Sequence, residues 1–245
     1  MNVKFKEYCK ISQSGVDKSI FTWRIYRGLS KYISFFFVKI KITANKVTTF
    51  KMFLEIFGVI LLAFGDINLS IIGVVVLILG GILDHADGEV ARFTKSTSLK
   101  GEYLDLINHR IIHPAYFFLL SIGIYHTNSQ LHLVILGFIA ALSYSISESS
   151  HNVAKRILFD YFYLSELDFK KLNSNSRGNK KSNKVKILNT FNFYLFEFEH
   201  IKYLTLVLLF VQKTEYLLYF YTPLLFFRSV YSIYHYMKYI AKYDC

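Results

Sequence analysis

The sequence predicts an all-α fold: a polytopic membrane bundle of six transmembrane helices, preceded by an N-terminal amphipathic helix at the membrane surface. Three observations predict it. Of the 245 residues, 53% are hydrophobic and 18% aromatic, and only 2 prolines and 12 glycines interrupt them, so long helices are expected. Six apolar stretches recur along the chain. Once those stretches are threaded through a bilayer, basic residues fall almost wholly on one side.

Residues 1–46 form the first segment. They mix Phe21, Trp23, Tyr26, Tyr32 and Phe35–Phe37 with lysine and arginine, as an amphipathic helix in the headgroup region requires. The membrane domain follows over 47–241. Its apolar stretches run from about Val47 to Gly65, Leu69 to Ala91, Tyr103 to Tyr125, Leu131 to Val153, His200 to Gln212 and Tyr216 to Ile240. A span needs about 20 residues at 1.5 Å each. The fifth stretch is short, and the Phe191–Phe198 run is expected to extend it. Between spans four and five lies a basic loop, about 156–198, whose Lys, Asn and Ser content reads as a mobile connection.

Placing the N-terminus in the cytoplasm leaves Gly65–Ser70, His126–Gln130 and Gln212–Glu215 outside, with Lys213 as their one basic residue. Inside lie ten Lys/Arg before Val47, three from Arg92 to Lys100 and nine from Lys155 to Lys186. This is the positive-inside pattern. The chain therefore reads as a multi-pass protein of the cell membrane with both termini in the cytoplasm. Its formal charge of +12 points to anionic membrane lipids as partners, not to nucleic acid. The two cysteines, Cys9 and Cys245, supply neither a disulfide framework nor metal-ligand spacing.

Polarity is also uneven along the spans. Ile71–Leu79 is apolar, and Asp84, His85, Asp87, Glu89 and Arg92 follow. Glu102, Asp105, His109 and Arg110 precede another apolar run, and Glu148, His151 and Lys155 close span four. Polar groups at membrane depth are costly unless they face one another or water. A wet polar chamber open to the cytoplasm is expected.

The densest signal is Asp84-His-Ala-Asp87-Gly88-Glu-Val-Ala91-Arg92, then Gly101, Asp105 and His109. Asp84 and Asp87 share one helix face at i,i+3, and Asp105 and His109 share another at i,i+4. The turn between them is short, so the two helices are antiparallel neighbours and the four side chains meet at one depth. Three ionised carboxylates together call for a cation, and oxygen ligands favour Mg²⁺, Mn²⁺ or Ca²⁺. Gly88 opens an approach to the backbone, Gly101 does the same or permits close helix packing, and Arg92 is suited to a phosphate.

This segment resembles the signature of the CDP-alcohol phosphotransferase family, D-x2-D-G-x2-A-R-x8-G-x3-D-x3-D. Asp84, Asp87, Gly88, Ala91, Arg92, Gly101 and Asp105 match it in type and spacing. Asn45 and Thr48 resemble the family's upstream P-N-x-x-T element, with Ala44 in place of proline. The resemblance implies a membrane-embedded catalytic domain with a cytoplasmic site that displaces CMP from a CDP-linked donor by an acceptor hydroxyl on a lipid, polyol or sugar. It implies a place in phospholipid biosynthesis or a divergent branch of such chemistry. It implies Mg²⁺ or Mn²⁺, one ion or two, held by Asp84, Asp87 and Asp105. Asn45, Thr48, Gly88, Ala91, Arg92 and Gly101 would lie near the CDP moiety, and the protein would be a homodimer.

One position departs from the signature: His109 stands where the last aspartate is expected. Imidazole, with an ordinary pKa near ~6.5, is a competent base at neutral pH and a weaker partner than carboxylate for a hard cation. Three readings follow: His109 as general base, His109 as nitrogen ligand, or a relative that binds CDP without turnover. A cation transporter is a further alternative from another class. Elsewhere, Lys51 and Glu55 read as an intrahelical i,i+4 pair and His113 as a packed histidine. Arg228 reads equally as a phosphate contact or a snorkelling side chain. Tyr144, Glu148, His151 and Lys155 form one stripe of span four, which reads equally as part of an acceptor pocket or as a solvated helix end.

Overall fold

The computed structural model of the chain describes residues 4–14, 21–164, 198–241 and 243. Among them all regular structure is helical: α1 (Phe5–Ser12), α2 (Phe21–Lys39), α3 (Ala44–Leu62), α4 (Ile67–Thr94), α5 (Leu99–Asn128), α6 (Leu131–Leu164), α7 (Phe198–Phe210) and α8 (Glu215–Ile240). Each expected apolar stretch falls in one helix, α3 to α8 in order. α6 continues to Leu164, so it takes up the first residues of the expected loop. Residues 165–197, which hold the rest of that loop and most of the Phe191–Phe198 run, lie outside the described residues.

α4, and α6 over Leu131–Phe159, are long and apolar enough to cross a bilayer. α3 carries Lys46, Lys51 and Glu55, and α5 carries Glu102, Asp105, His109 and Arg110, which lowers their apolar content. α7 has only 13 described residues. A different observation bears on how α3 meets its surroundings. Its outward face shows Phe50, Phe53, Phe57 and Ile60, with Phe53 68% exposed, while Thr48, Lys51 and Glu55 are buried. Apolar outside and charged inside is the polarity of a helix in lipid.

Local signals explain the turn that matters most. Lys95 ends α4 in the left-handed region at φ 52°, and the Ser98 hydroxyl caps α5 by accepting from Gly101 N–H at 3.1 Å. Asp87 precedes this turn and Asp105 follows it by about two helical turns each, roughly 11 Å of rise. The α4–α5 hairpin therefore sets the aspartates level. α3 packs against both helices, α6 against α5 and α8, and α7 against α4.

The N-terminal segment forms two helices, α1 and α2, where one was expected, and both pack on α4. Tyr8, Tyr26, Ser30 and Ser34 are fully buried. The cause is Glu89, buried on α4, which accepts from Ser30 Oγ at 2.8 Å, Ser34 Oγ at 2.5 Å and Gln13 Nε2 at 3.2 Å. A buried carboxylate needs such donors, and they come from the segment before the first span.

Candidate functional site

Lys51 reaches from the buried face of α3 into the gap between α4 and α5. Its Nζ lies 2.5 Å from Asp84 Oδ1 and 2.6 Å from Asp105 Oδ1. His109 Nε2 faces the same two oxygens, at 3.8 and 3.5 Å. One donor atom from each of Asp84, Asp105 and His109 lies within 4.8 Å of the others. Hard carboxylate oxygens with one imidazole nitrogen suit Mg²⁺ or Mn²⁺, so the donor set fits a divalent ion.

Asp87 lies on the other side of this cluster and accepts from Thr48 Oγ1 at 2.7 Å. A cleft of about 430 Å³ opens there, lined by Asn45, Thr48, Asp87, Gly88, Ala91, Gly101 and Asp105, with Ala44, the Ser96–Leu99 turn and Glu102 completing it. Gly101 is small for a reason. A Cβ on it would stand 2.8 Å from Asn45 Oδ1, the oxygen that also accepts from Ser98 Oγ at 3.2 Å. Gly88 faces the Arg92 guanidinium, where a Cβ would be 3.1 Å from Nη1.

The structure thus brings nine of the ten candidate residues together at a cluster and a cleft that share Asp105: Asp84, Asp105 and His109 at the cluster, and Asn45, Thr48, Asp87, Gly88, Ala91 and Gly101 along the cleft. Arg92 stands beside Gly88 at the edge of the cleft, and its Nε donates to Ser12 O at the end of α1, at 2.6 Å. Arg92 is therefore tied to the N-terminal segment.

Three features go beyond the sequence expectations. First, Lys51 and Glu55 do not form the simple pair expected of them. Lys51 turns to the aspartates, and Glu55 accepts from Asn108 Nδ2 at 2.5 Å. Both are buried, and a lysine two turns inside an apolar helix was the available signal. Second, His113 is packed, with its ring 4.0 Å from that of Phe198, and it is also bonded on both sides. Its Nε2 meets His109 Nδ1 at 3.2 Å, and its Nδ1 meets Tyr144 Oη at 2.7 Å. The i,i+4 spacing of the histidines was legible, but the tyrosine on α6 was not. Third, the buried Lys202 on α7 donates to Leu77 O at 2.9 Å and Glu199 Oε1 at 2.6 Å. Only one charged residue amid Ile201–Phe210 hinted at it. The stripe on α6 turns to α8: Arg228 Nη2 is 4.0 Å from Glu148 Oε1, and Tyr236 Oη is 2.6 Å from His151 Nδ1.

A model of the CDP-alcohol phosphatidyltransferase family matches residues 41–176, more than half of the chain and every one of the ten candidate residues. No curated protein matches the chain.

Proposed function

The chain belongs to the CDP-alcohol phosphatidyltransferase family, and from that membership we propose that it moves a phospho-alcohol from a CDP-linked donor to an acceptor hydroxyl, releasing CMP. Transfer of phosphate groups is the family's chemistry, and its members are integral to membranes. The observation that carries the reading to particular residues is the convergence of Asp84, Asp105 and His109 beside the cleft of Asn45, Thr48 and Gly101.

Asp84, Asp87 and Asp105 hold the divalent ion, Mg²⁺ or Mn²⁺, in this reading. When bound, such an ion supplies positive charge beside the donor's pyrophosphate. The cleft receives the CDP moiety, with Gly88 and Gly101 leaving room for it and Asn45 and Thr48 offering polar atoms. His109 is the general base. In that role its Nδ1 would carry the proton toward His113 Nε2, 3.2 Å away, leaving the Nε2 lone pair toward the reacting side. The acceptor oxygen forms a bond to the donor's β-phosphorus, and the bond from that phosphorus to the bridging oxygen breaks. CMP leaves with the bonding electrons, and the hydroxyl proton passes to His109 Nε2. The acceptor is a lipid, polyol or sugar hydroxyl.

We further read α3 to α8 as six spans, with the N-terminal helices, the site and both termini in the cytoplasm. The charge asymmetry and the apolar outward face of α3 support this. Homodimerisation is the family expectation. Family membership argues against the transporter alternative.

The test is CMP release by the purified protein from CDP-diacylglycerol and CDP-headgroup donors with a panel of acceptors, in Mg²⁺ or Mn²⁺, beside Asp105→Asn. The expected result is metal-dependent release that falls by about 10³-fold in the variant, the effect of several kcal/mol of lost charge stabilisation. No release with any pair, together with CDP binding unaltered in Asp105→Asn, would remove the catalytic reading.

A further inference from the structure

The point at which the cluster's donors converge is held by the chain itself. Lys51 Nζ bonds Asp84 Oδ1 and Asp105 Oδ1 at 2.5 and 2.6 Å, the two oxygens that also face His109 Nε2. We propose that Lys51 is a built-in counter-ion that replaces one divalent cation, so that the site takes a single metal ion. The inference rests on the metal reading above and specifies its stoichiometry.

Two arguments carry it. The first is burial. The Lys51 side chain is 0% exposed, and α4 and α5 both pack on the helix it comes from. Withdrawing the ammonium would part a buried charge from both of its hydrogen-bond acceptors, which is costly. It keeps its place better than a lysine that can swing into water.

The second is charge. Asp84, Asp87 and Asp105 bring three negative charges to one place. Lys51 offsets one, and one divalent ion offsets the other two. Like charges at this distance are tolerated only when compensated, and a second divalent ion beside Lys51 would leave the donor layer two charges positive. The fourth carboxylate of the signature would shift that balance toward a second ion. Here that position is His109, which brings no carboxylate. Loss of a carboxylate at 109 and gain of an ammonium from 51 act in the same direction. With Lys51 on Asp84 Oδ1 and Asp105 Oδ1, Asp87 and the second oxygens of Asp84 and Asp105 would be the ligands of that one ion.

The measurement is Mn²⁺ stoichiometry of the detergent-purified, substrate-free protein, followed by the electron paramagnetic resonance signal of free Mn²⁺. One ion per chain is expected for the wild type and for Lys51→Arg, and two for Lys51→Met, each checked for a monodisperse size-exclusion profile. Two ions per chain in the wild type would overturn the role of Lys51 while leaving the metal reading intact. One ion in well-folded Lys51→Met at unchanged affinity would overturn it as well. If Lys51→Met does not fold, the wild-type and Lys51→Arg counts decide alone. No Mn²⁺ bound to the wild type would instead remove the metal reading itself, and the inference with it.

Discussion

At the end of the bundle away from the carboxylates, α3, α4 and α5 meet backbone to backbone; at the carboxylate end the same three helices meet through charges. A Cβ on Gly73 would stand 2.7 Å from Gly58 O, and one on Gly65 would stand 2.6 Å from Gly123 O. A Cβ on Gly123 would overlap the Leu62 carbonyl. At the other end, Lys51 joins Asp84 to Asp105, and Asn108 joins α5 to Glu55 on α3. Lipid supplies no hydrophobic drive between helices, so close packing of small residues and interhelical polar contacts are the two means of holding them. Using the first at one end releases the second, at the other end, to serve chemistry. Stability and activity should then be separable along the length of the same helices.

Replacing His109 by alanine is the largest of the effects that sharpen this contrast. Removing a positioned general base costs typically 10²–10⁴-fold in rate, and that range is expected in kcat for CMP release. The His109 side chain is 39% exposed, so little packing is lost, and the thermal midpoint in detergent should stay at the wild-type value. A midpoint that falls with the rate would show that the carboxylate end also carries the fold, and the separation would fail.

The complementary change is Gly123→Leu at the packed end. The new side chain meets the Leu62 carbonyl of α3, which is backbone and cannot rotate away. Overpacking of this kind costs about 1–3 kcal/mol, read as a lower midpoint in a thermal denaturation series. Turnover per folded molecule should match the wild type, because Gly123 lies about five helical turns along α5 from Asp105, roughly 27 Å of rise. Reduced kcat at full folding would mean that the two ends are coupled through α5.

Much of the site was legible because its residues lie on two consecutive helices. Asp84, Asp105 and His109 are fixed relative to one another by helical periodicity and one short turn, and both can be read from sequence. Lys51 was misread for the same reason. Glu55 lies four residues on, and local spacing offered a partner nearer in sequence than Asp84, which is 33 residues away. The N-terminal helices show a second limit. Their aromatic and basic residues fit a membrane surface, yet Ser30 and Ser34 on one face of α2 serve Glu89 on α4. Two serines carry no composition signal for such a contact. Arg92 shows a third: its type and place in the signature were clear, but its bond to Ser12 depends on how α1 docks. The helices themselves were easier. Apolar runs located α3 to α8 within a few residues, and the continuation of α6 to Leu164, past the charges of Lys155, Arg156 and Asp160, escaped that reading.

The smallest expected effect concerns the bond that reaches the site from outside those two helices. Tyr144 Oη and His113 Nδ1 are 2.7 Å apart, and His113 in turn meets His109 Nδ1. The hydroxyl acts on His109 only through His113, so it is a positioning group. Tyr144→Phe keeps the ring, which stands edge-on to His113 with centroids 5.1 Å apart, and deletes the hydrogen bond alone. One such bond is worth about 1 kcal/mol net, which corresponds to about a fivefold decrease in rate. The decrease should appear in kcat with KM for the CDP-linked donor unchanged, since the donor's cleft lies on the far side of Asp105. His113→Gln, which retains a donor and an acceptor, should recover more of the rate than His113→Leu. A loss in Tyr144→Phe as deep as that of His109→Ala would move the tyrosine into the chemistry. Unchanged kcat would show that the chain of rings beneath His109 holds α5 to α6 and nothing more.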